Sequence, residues 1–275
     1  KAMTNLYNPN TIAFTPFLFF TGKGGVGKTT LTFNYGEWLS RQGKNVLLID
    51  CDHQCSLSQT YNLFTTENTV YNIFEGGEVE IHNIHNNLDI IPSSPMLDEL
   101  EIELSTKHNK DLLLMMWFQD NIDTIRKYDF VLIDCHPDFL TVTKNAIAIS
   151  HYILSPIEPS QYGFTSKSLL LERLANFKDE VIDVRSRESY ITAQTLFIGN
   201  RIRHNTKSSK EFSQKISEDE SVIALIPEKE LFNRSTLDGT PIVEMQEDKE
   251  INIKNKTFFN ALDSTFQNIT NTIEK

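Results

Sequence analysis

Gly22-Lys23-Gly24-Gly25-Val26-Gly27-Lys28-Thr29-Thr30 is the stretch on which the fold turns. A short apolar run, Phe17 to Thr21, leads into it, and helix-forming sequence from about Lys28 to Gln42 leads out, stopped by Gly43. Glycines let a backbone wrap closely and turn several N–H groups toward one point. A helix beginning immediately afterwards adds positive potential. Strand, glycine loop and helix together read as a trap for phosphate. The spacing Gly22-x-x-x-x-Gly27-Lys28-Thr29 fits the general P-loop pattern, in which the lysine reaches the β- and γ-phosphates and the hydroxyl ligates Mg2+. Gly24, Gly25, Val26, Gly27, Lys28, Thr29 and Thr30 are the expected nucleotide contacts. A glycine turn with no ligand is the plain alternative; the flanking strand and helix argue against it.

Outward from the loop, apolar strands alternate with helical runs. Asn45 to Asp50, Leu88 to Ile91, Asp129 to Asp134, Tyr152 to Pro156, Thr195 to Gly199 and Val222 to Ile226 read as strands. Asp111 to Lys127, Thr165 to Phe177 and Lys207 to Ile216 read as helices. This order predicts an α/β fold, a mostly parallel twisted sheet with helices on both faces. Phe258, Phe259, Leu262, Phe266, Ile269 and Ile273 recur at three- and four-residue spacing and predict one apolar face on a last helix. Residues 13–275 are expected to form a single domain after an extension over 1–12, with Lys1-Ala2 before Met3 read as a vector remnant.

Bulk properties narrow the function. Of 275 residues, 39% are hydrophobic and 23% charged, which excludes global disorder. The net charge of −11 repels nucleic acid and anionic membrane unless a local patch intervenes. Three cysteines, Cys51, Cys55 and Cys135, make no disulfide framework and suggest a reducing cytoplasm. Cys51 and Cys55 flank His53 without a further Cys or His cluster at zinc spacing, so they read as small, semi-buried thiols. The apolar run Phe14 to Phe20 is too short to span a bilayer and holds Pro16.

Two of the strands end in aspartate. Asp50-Cys51-Asp52 and Asp134 fall just beyond a sheet's C-terminal edge, where open α/β sheets place ligands. Such carboxylates hold Mg2+ through its waters or orient an attacking water. The bland reading is that they cap the next helix.

Together these segments resemble a family. KGGVGKTT is similar to the deviant Walker A motif of the ParA/MinD class of P-loop NTPases. LLIDCDHQCSLS resembles the strand-and-switch segment of that class, YDFVLIDCHPDF its Walker B segment, SPIEPSQYGFTSKSLLL the following strand and helix, and IPEKELFNRSTLDGTPI its late segment. The similarity runs over about residues 14 to 245 and is nearest to short ParA-type partition ATPases. It implies a Mg2+-dependent ATP hydrolase that works as an ATP-dependent homodimer. Lys28 becomes the Walker lysine, Lys23 a signature lysine reaching the partner's nucleotide, and Asp52 the residue that positions water. Thr29, Asp50 and Asp134 fall on the Mg2+ side, the aspartates through water. Asn200 and Pro227 become further nucleotide contacts.

The sequence departs from the class at His53, where proline is usual, at Cys55 and Leu57, and at His136-Pro137 in place of Pro-Pro. His53 and His136 read as exposed loop histidines. The implied role is DNA partition: non-specific DNA binding by the ATP dimer, stimulated by a ParB-like DNA-bound adaptor, in the cytoplasm at the nucleoid. A positioning ATPase of MinD or cargo type, acting on a protein assembly or membrane surface, is the alternative. From Arg185 to Lys215, seven basic residues (Arg185, Arg187, Arg201, Arg203, Lys207, Lys210, Lys215) stand against Glu188 and Glu211, a net charge of +5 and the candidate DNA surface. Glu228-Lys229-Glu230 sits where many relatives carry arginines. The last helix lacks a basic polar face, so membrane binding is not expected.

Overall fold

A computed structural model of the chain describes residues 17–20, 25, 27–203, 206–216 and 218–275. The expected extension over 1–12 lies outside the described residues, as do Gly22, Lys23, Gly24 and Val26 of the loop. The strands are β1 (Phe17–Phe20), β2 (Val46–Cys51), β3 (His82–His85), β4 (Leu88–Ile91), β5 (Phe130–Cys135), β6 (Tyr152–Ile157), β7 (Gln194–Ile202) and β8 (Val222–Pro227). They form one sheet in the order β3-β4-β2-β5-β1-β6-β7-β8. Neighbours are parallel except β3 and β4. The mostly parallel α/β architecture is therefore as expected, with one antiparallel edge.

β2 (VLLIDC) and β5 (FVLIDC) are buried at every position, as strands covered on both faces must be. Alternation sorts their side chains into two layers. Leu47, Ile49 and Cys51 join Val131, Ile133 and Cys135 in one core. Val46 and Leu48 join Phe130 and Leu132 in the other, with the helix Lys28–Arg41 and the C-terminal helix Lys249–Ile273. The same parity gives Asp50 and Asp134 to the second layer, the one in which the helix after the loop begins. The two strands pair in register, Asp50 opposite Asp134 and Cys51 opposite Cys135.

The helix Lys28–Arg41 is buried along most of its length. Gly36 lets it close on β2; a Cβ there would meet Leu48 Cδ2 at 2.8 Å. Asn34 ties it to distant chain: its amide donates to Thr30 O and Ser235 Oγ and accepts from Ile242 N. Tyr35 and Trp38 pack against Phe266 and hydrogen-bond Thr270 and Asp263. The predicted apolar face of the last helix is buried at all six positions.

Several elements differ from expectation: the helices Leu97–Leu104, Thr141–Ile149 and Glu230–Asp238 and three shorter ones were not foreseen, and three further differences have local causes. Asp111 to Lys127 is not one helix but a 3-10 turn (Lys110–Leu112) and two helices, Leu113–Asp120 and Ile122–Ile125. The break is Asn121 (φ −113, ψ 22), whose side chain bonds back to Trp117 O and so competes with helix continuation. β3 was not expected because His-Asn-Ile-His lacks apolar alternation; Asn87, at φ 66, supplies the turn into β4. The last helix begins at Lys249, earlier than its apolar face, capped by Asp248. No described helix is long and apolar enough to cross a membrane.

Candidate nucleotide-binding site

β1, at the centre of the sheet, delivers the loop to the C-terminal edge. Gly25 (φ 77) and Gly27 (φ 89) are left-handed, the conformation that glycine adopts without steric penalty. Gly27 is also close-packed: a Cβ there would stand 2.7 Å from Asn200 Nδ2. Asn200, buried near the end of β7, thus lies against the loop. Pro227 ends β8 opposite Ile202.

Lys28 and Thr29 open the helix. Lys28 is 7% exposed, and burial holds its ammonium below the ordinary lysine range despite the opposing pull of Asp134 and Asp52. Thr29 Oγ1 donates to Asp134 Oδ2 at 2.7 Å. Thr29 also lines a cleft of about 460 Å³ bounded by Ser56, Thr60, Thr236 and Gly239.

Asp134 is fully buried, and its Oδ1 has no hydrogen-bond partner among the described residues. Burial, then the neighbouring Asp50 charge, pushes its carboxyl up to about 8. Asp50 is equally buried and raised to about 6 by burial. Its oxygens are engaged: Oδ1 accepts from Asp52 N, Oδ2 from Ser58 N and Ser58 Oγ. Asp52 Oδ1 accepts from Gln54 N, and its carbonyl from Ser93 Oγ. The capping reading therefore describes part of what Asp50 and Asp52 do. It does not describe Asp134, which turns to the loop. Ser58, to which sequence alone assigns no role, fixes Asp50.

A buried, unpartnered carboxylate oxygen beside a threonine hydroxyl fits a hydrated dication. Such an ion would relieve the crowding of Asp50, Asp52 and Asp134 that raises the buried carboxyls.

His53 and His136 do not behave as separate loop residues. Their rings are in contact, tilted by 33° with 4.4 Å between centroids, and each side chain is 28% exposed. Cys51 belongs to the core on the opposite face of the sheet, and Cys55 Sγ bonds His53 O, so neither thiol joins them.

The seven basic residues are not one patch. Arg185 and Arg187 lie in the turn before β7, at the N-terminal edge of the sheet. Arg201 is the last but one residue of β7 and Arg203 follows the strand, at the opposite edge; the strand between them spans roughly 26 Å at the usual rise per residue. Arg201 pairs with Glu158 at 2.8 Å, and Arg203 with Glu228 at 2.6 Å. Lys215 covers the Phe164 ring. Lys207, 92% exposed and 3.9 Å from Glu211, and Lys210 remain presented to solvent.

The AAA domain family matches residues 17–186, more than half of the chain. Among curated proteins, the chromosome-partitioning ATPase Soj of Treponema pallidum (strain Nichols) is 33% identical over 160 residues, 56% of this chain and 61% of Soj. The match spans only 51% to 61% of the length of the first such relatives. Among solved structures, a Borrelia burgdorferi B31 protein assigned to plasmid partition and bound to AMPPNP superposes with a TM-score of 0.72 at 22% identity, covering 91% of this chain and 99% of that one. Apo McdA of Cyanothece gives 0.74 at 21% identity, over 90% and 99%. At these identities the structures establish the P-loop NTPase fold. The chain belongs to the AAA domain family, and within it is similar to ParA- and Soj-type partition ATPases.

Proposed function

We propose that the chain is an ATP-driven dimeric switch for DNA partition, with ATP and Mg2+ as cofactors, a second copy of itself as partner, and a ParB-like adaptor as its stimulator. The observation that carries the reading is the Thr29–Asp134 hydrogen bond just after the left-handed Gly25 and Gly27, with Lys28 buried beside it. Thr29 and Asp134 would hold Mg2+, which when bound would supply charge neutralisation at the transferring phosphate. Lys28 binds the β- and γ-phosphates, and Asp52 accepts a hydrogen bond from the attacking water and so orients it. Lys23, on its place in the motif, supplies a cation to the partner's phosphates. Hydrolysis then requires the dimer.

For DNA, the separation and pairing of the arginines leave Lys207 and Lys210 as the leading contacts. The Arg201–Glu158 and Arg203–Glu228 pairs favour the second reading, a positioning ATPase whose surface meets a protein cargo. Binding of non-specific duplex by the ATP-loaded protein at two salt concentrations separates them. Four phosphates neutralised per dimer predict a loss of about 150-fold in affinity between roughly 50 and 200 mM salt, and a shallower slope for Lys207→Ala/Lys210→Ala. Absence of binding at both salts, by folded and ATP-bound protein, rejects the DNA reading.

A further inference from the structure

β2 and β5 are twin strands, and their register has a chemical result. With Asp50 opposite Asp134 and Cys51 opposite Cys135, the residues that follow leave the same edge side by side. Asp52-His53 and His136 are those residues. One ligand atom from each of the three lies within 4.8 Å of the others. His53 Nδ1 stands 4.0 Å from Asp52 Oδ1. His136 Nδ1 is hydrogen-bonded to Asp138 Oδ2 at 2.9 Å, which leaves its Nε2 as the coordinating nitrogen. A carboxylate behind a histidine is the usual support of a metal-bound imidazole. Asp52 is held by Gln54 N and Ser93 Oγ, and both imidazoles are partly exposed.

We propose that Asp52, His53 and His136 form a binding site for a transition-metal dication of the Zn2+ class, with Asp138 orienting His136. Two imidazoles and one carboxylate suit Zn2+, Co2+ or Ni2+, whereas Mg2+ takes oxygen ligands. Bonds of about 2.0–2.1 Å place tetrahedral ligand atoms about 3.3 Å apart, so rotation of the imidazoles closes the site, and water completes the fourth position. The surroundings are acidic: Asp134, Asp52 and Asp138 act on Lys28, and Asp50 and Asp52 act on Asp134. Its three ligands are distinct from Thr29 and Asp134, the residues assigned to Mg2+. Its consequence rests on the proposed role of Asp52. A metal on that carboxylate withdraws it from the attacking water, so the metal-loaded protein keeps ATP unhydrolysed.

The test is Zn2+ titration of the full chain against a chromophoric chelator, in excess Mg2+. The wild type binds one Zn2+ that His53→Ala/His136→Ala loses by on the order of 100-fold or more, while His82→Ala/His85→Ala retains it. Circular dichroism checks the fold of each variant. Co2+ titration of the wild type is a second measurement that needs no variant, and a four-coordinate ligand-field spectrum with nitrogen ligands is expected. Equal Zn2+ affinity in the wild type and the His53/His136 variant, or a six-coordinate, oxygen-only Co2+ spectrum, overturns the site. Zn2+ bound through these histidines with ATP turnover unchanged keeps the site and overturns the role of Asp52, so the two failures are distinguishable.

Discussion

Asp134 makes the stability of the nucleotide-free protein fall as pH rises. Its carboxyl is raised from 3.8 to about 8, chiefly by burial and then by Asp50. Between those values the folded protein holds a proton that the unfolded chain has released. The stabilisation is therefore full below pH ~4 and is lost progressively as pH climbs to ~8. At about 1.4 kcal/mol for each pH unit, the loss is on the order of 5 kcal/mol, comparable to the whole stability of many domains. Asp50, raised to about 6, adds a smaller loss of the same sign over the lower part of the window. Asp134→Asn keeps an oxygen for Thr29 and removes the ionisation. Urea unfolding of the apo protein at a series of pH values should show the two proteins converging near pH ~4. The variant should be several kcal/mol more stable near pH ~8. Saturating Mg2+ and ATP should restore the wild type at high pH and not the variant. Groups lowered by ion pairing, Asp219 and Glu228, act in the acid range and cancel in the difference. Wild-type stability that rises relative to the variant across this window would refute the placement of Asp134 as a buried, unpaired carboxylate awaiting a cation.

Other consequences follow from single contacts. Gly27→Ala forces a left-handed alanine, about 1–2 kcal/mol, and drives its Cβ onto Asn200 Nδ2, about 1–3 kcal/mol more; adding Asn200→Ala should recover only the second part in urea unfolding. Asn34→Ala strands the Ile242 N–H and takes a donor from Ser235 Oγ, which keeps its own bond to Phe232 O; it should lower stability by about 2–4 kcal/mol without changing the pH profile of unfolding.

Much of the fold was legible because parallel strands buried on both faces announce themselves as apolar runs, and VLLIDC and FVLIDC do so twice. The P-loop fold was legible because the spacing and flanks of the glycine-rich stretch are both special. Elements that owe their form to local side-chain competition were not: Asn121 ends a helix whose composition continues, and Asn87 turns a strand that has no alternation. At the site, the strand-end aspartates were visible but their differing roles were not. What separates Asp134 from Asp50 is Ser58, eight residues beyond Asp50, and Thr29, 105 residues before Asp134. His53 and His136 looked like isolated departures because their contact depends on the register of β2 against β5. The basic segment misled for the opposite reason: contiguous in sequence, it is divided by the length of β7.

In the proposed switch, Asp52 positions water and a second copy of the chain completes the reaction. Sedimentation of Asp52→Ala with ATP and Mg2+, read together with its turnover, tests it most directly. The variant should bind ATP, accumulate as a dimer and barely hydrolyse. Turnover equal to the wild type, or an ATP-bound variant that stays monomeric, would contradict it.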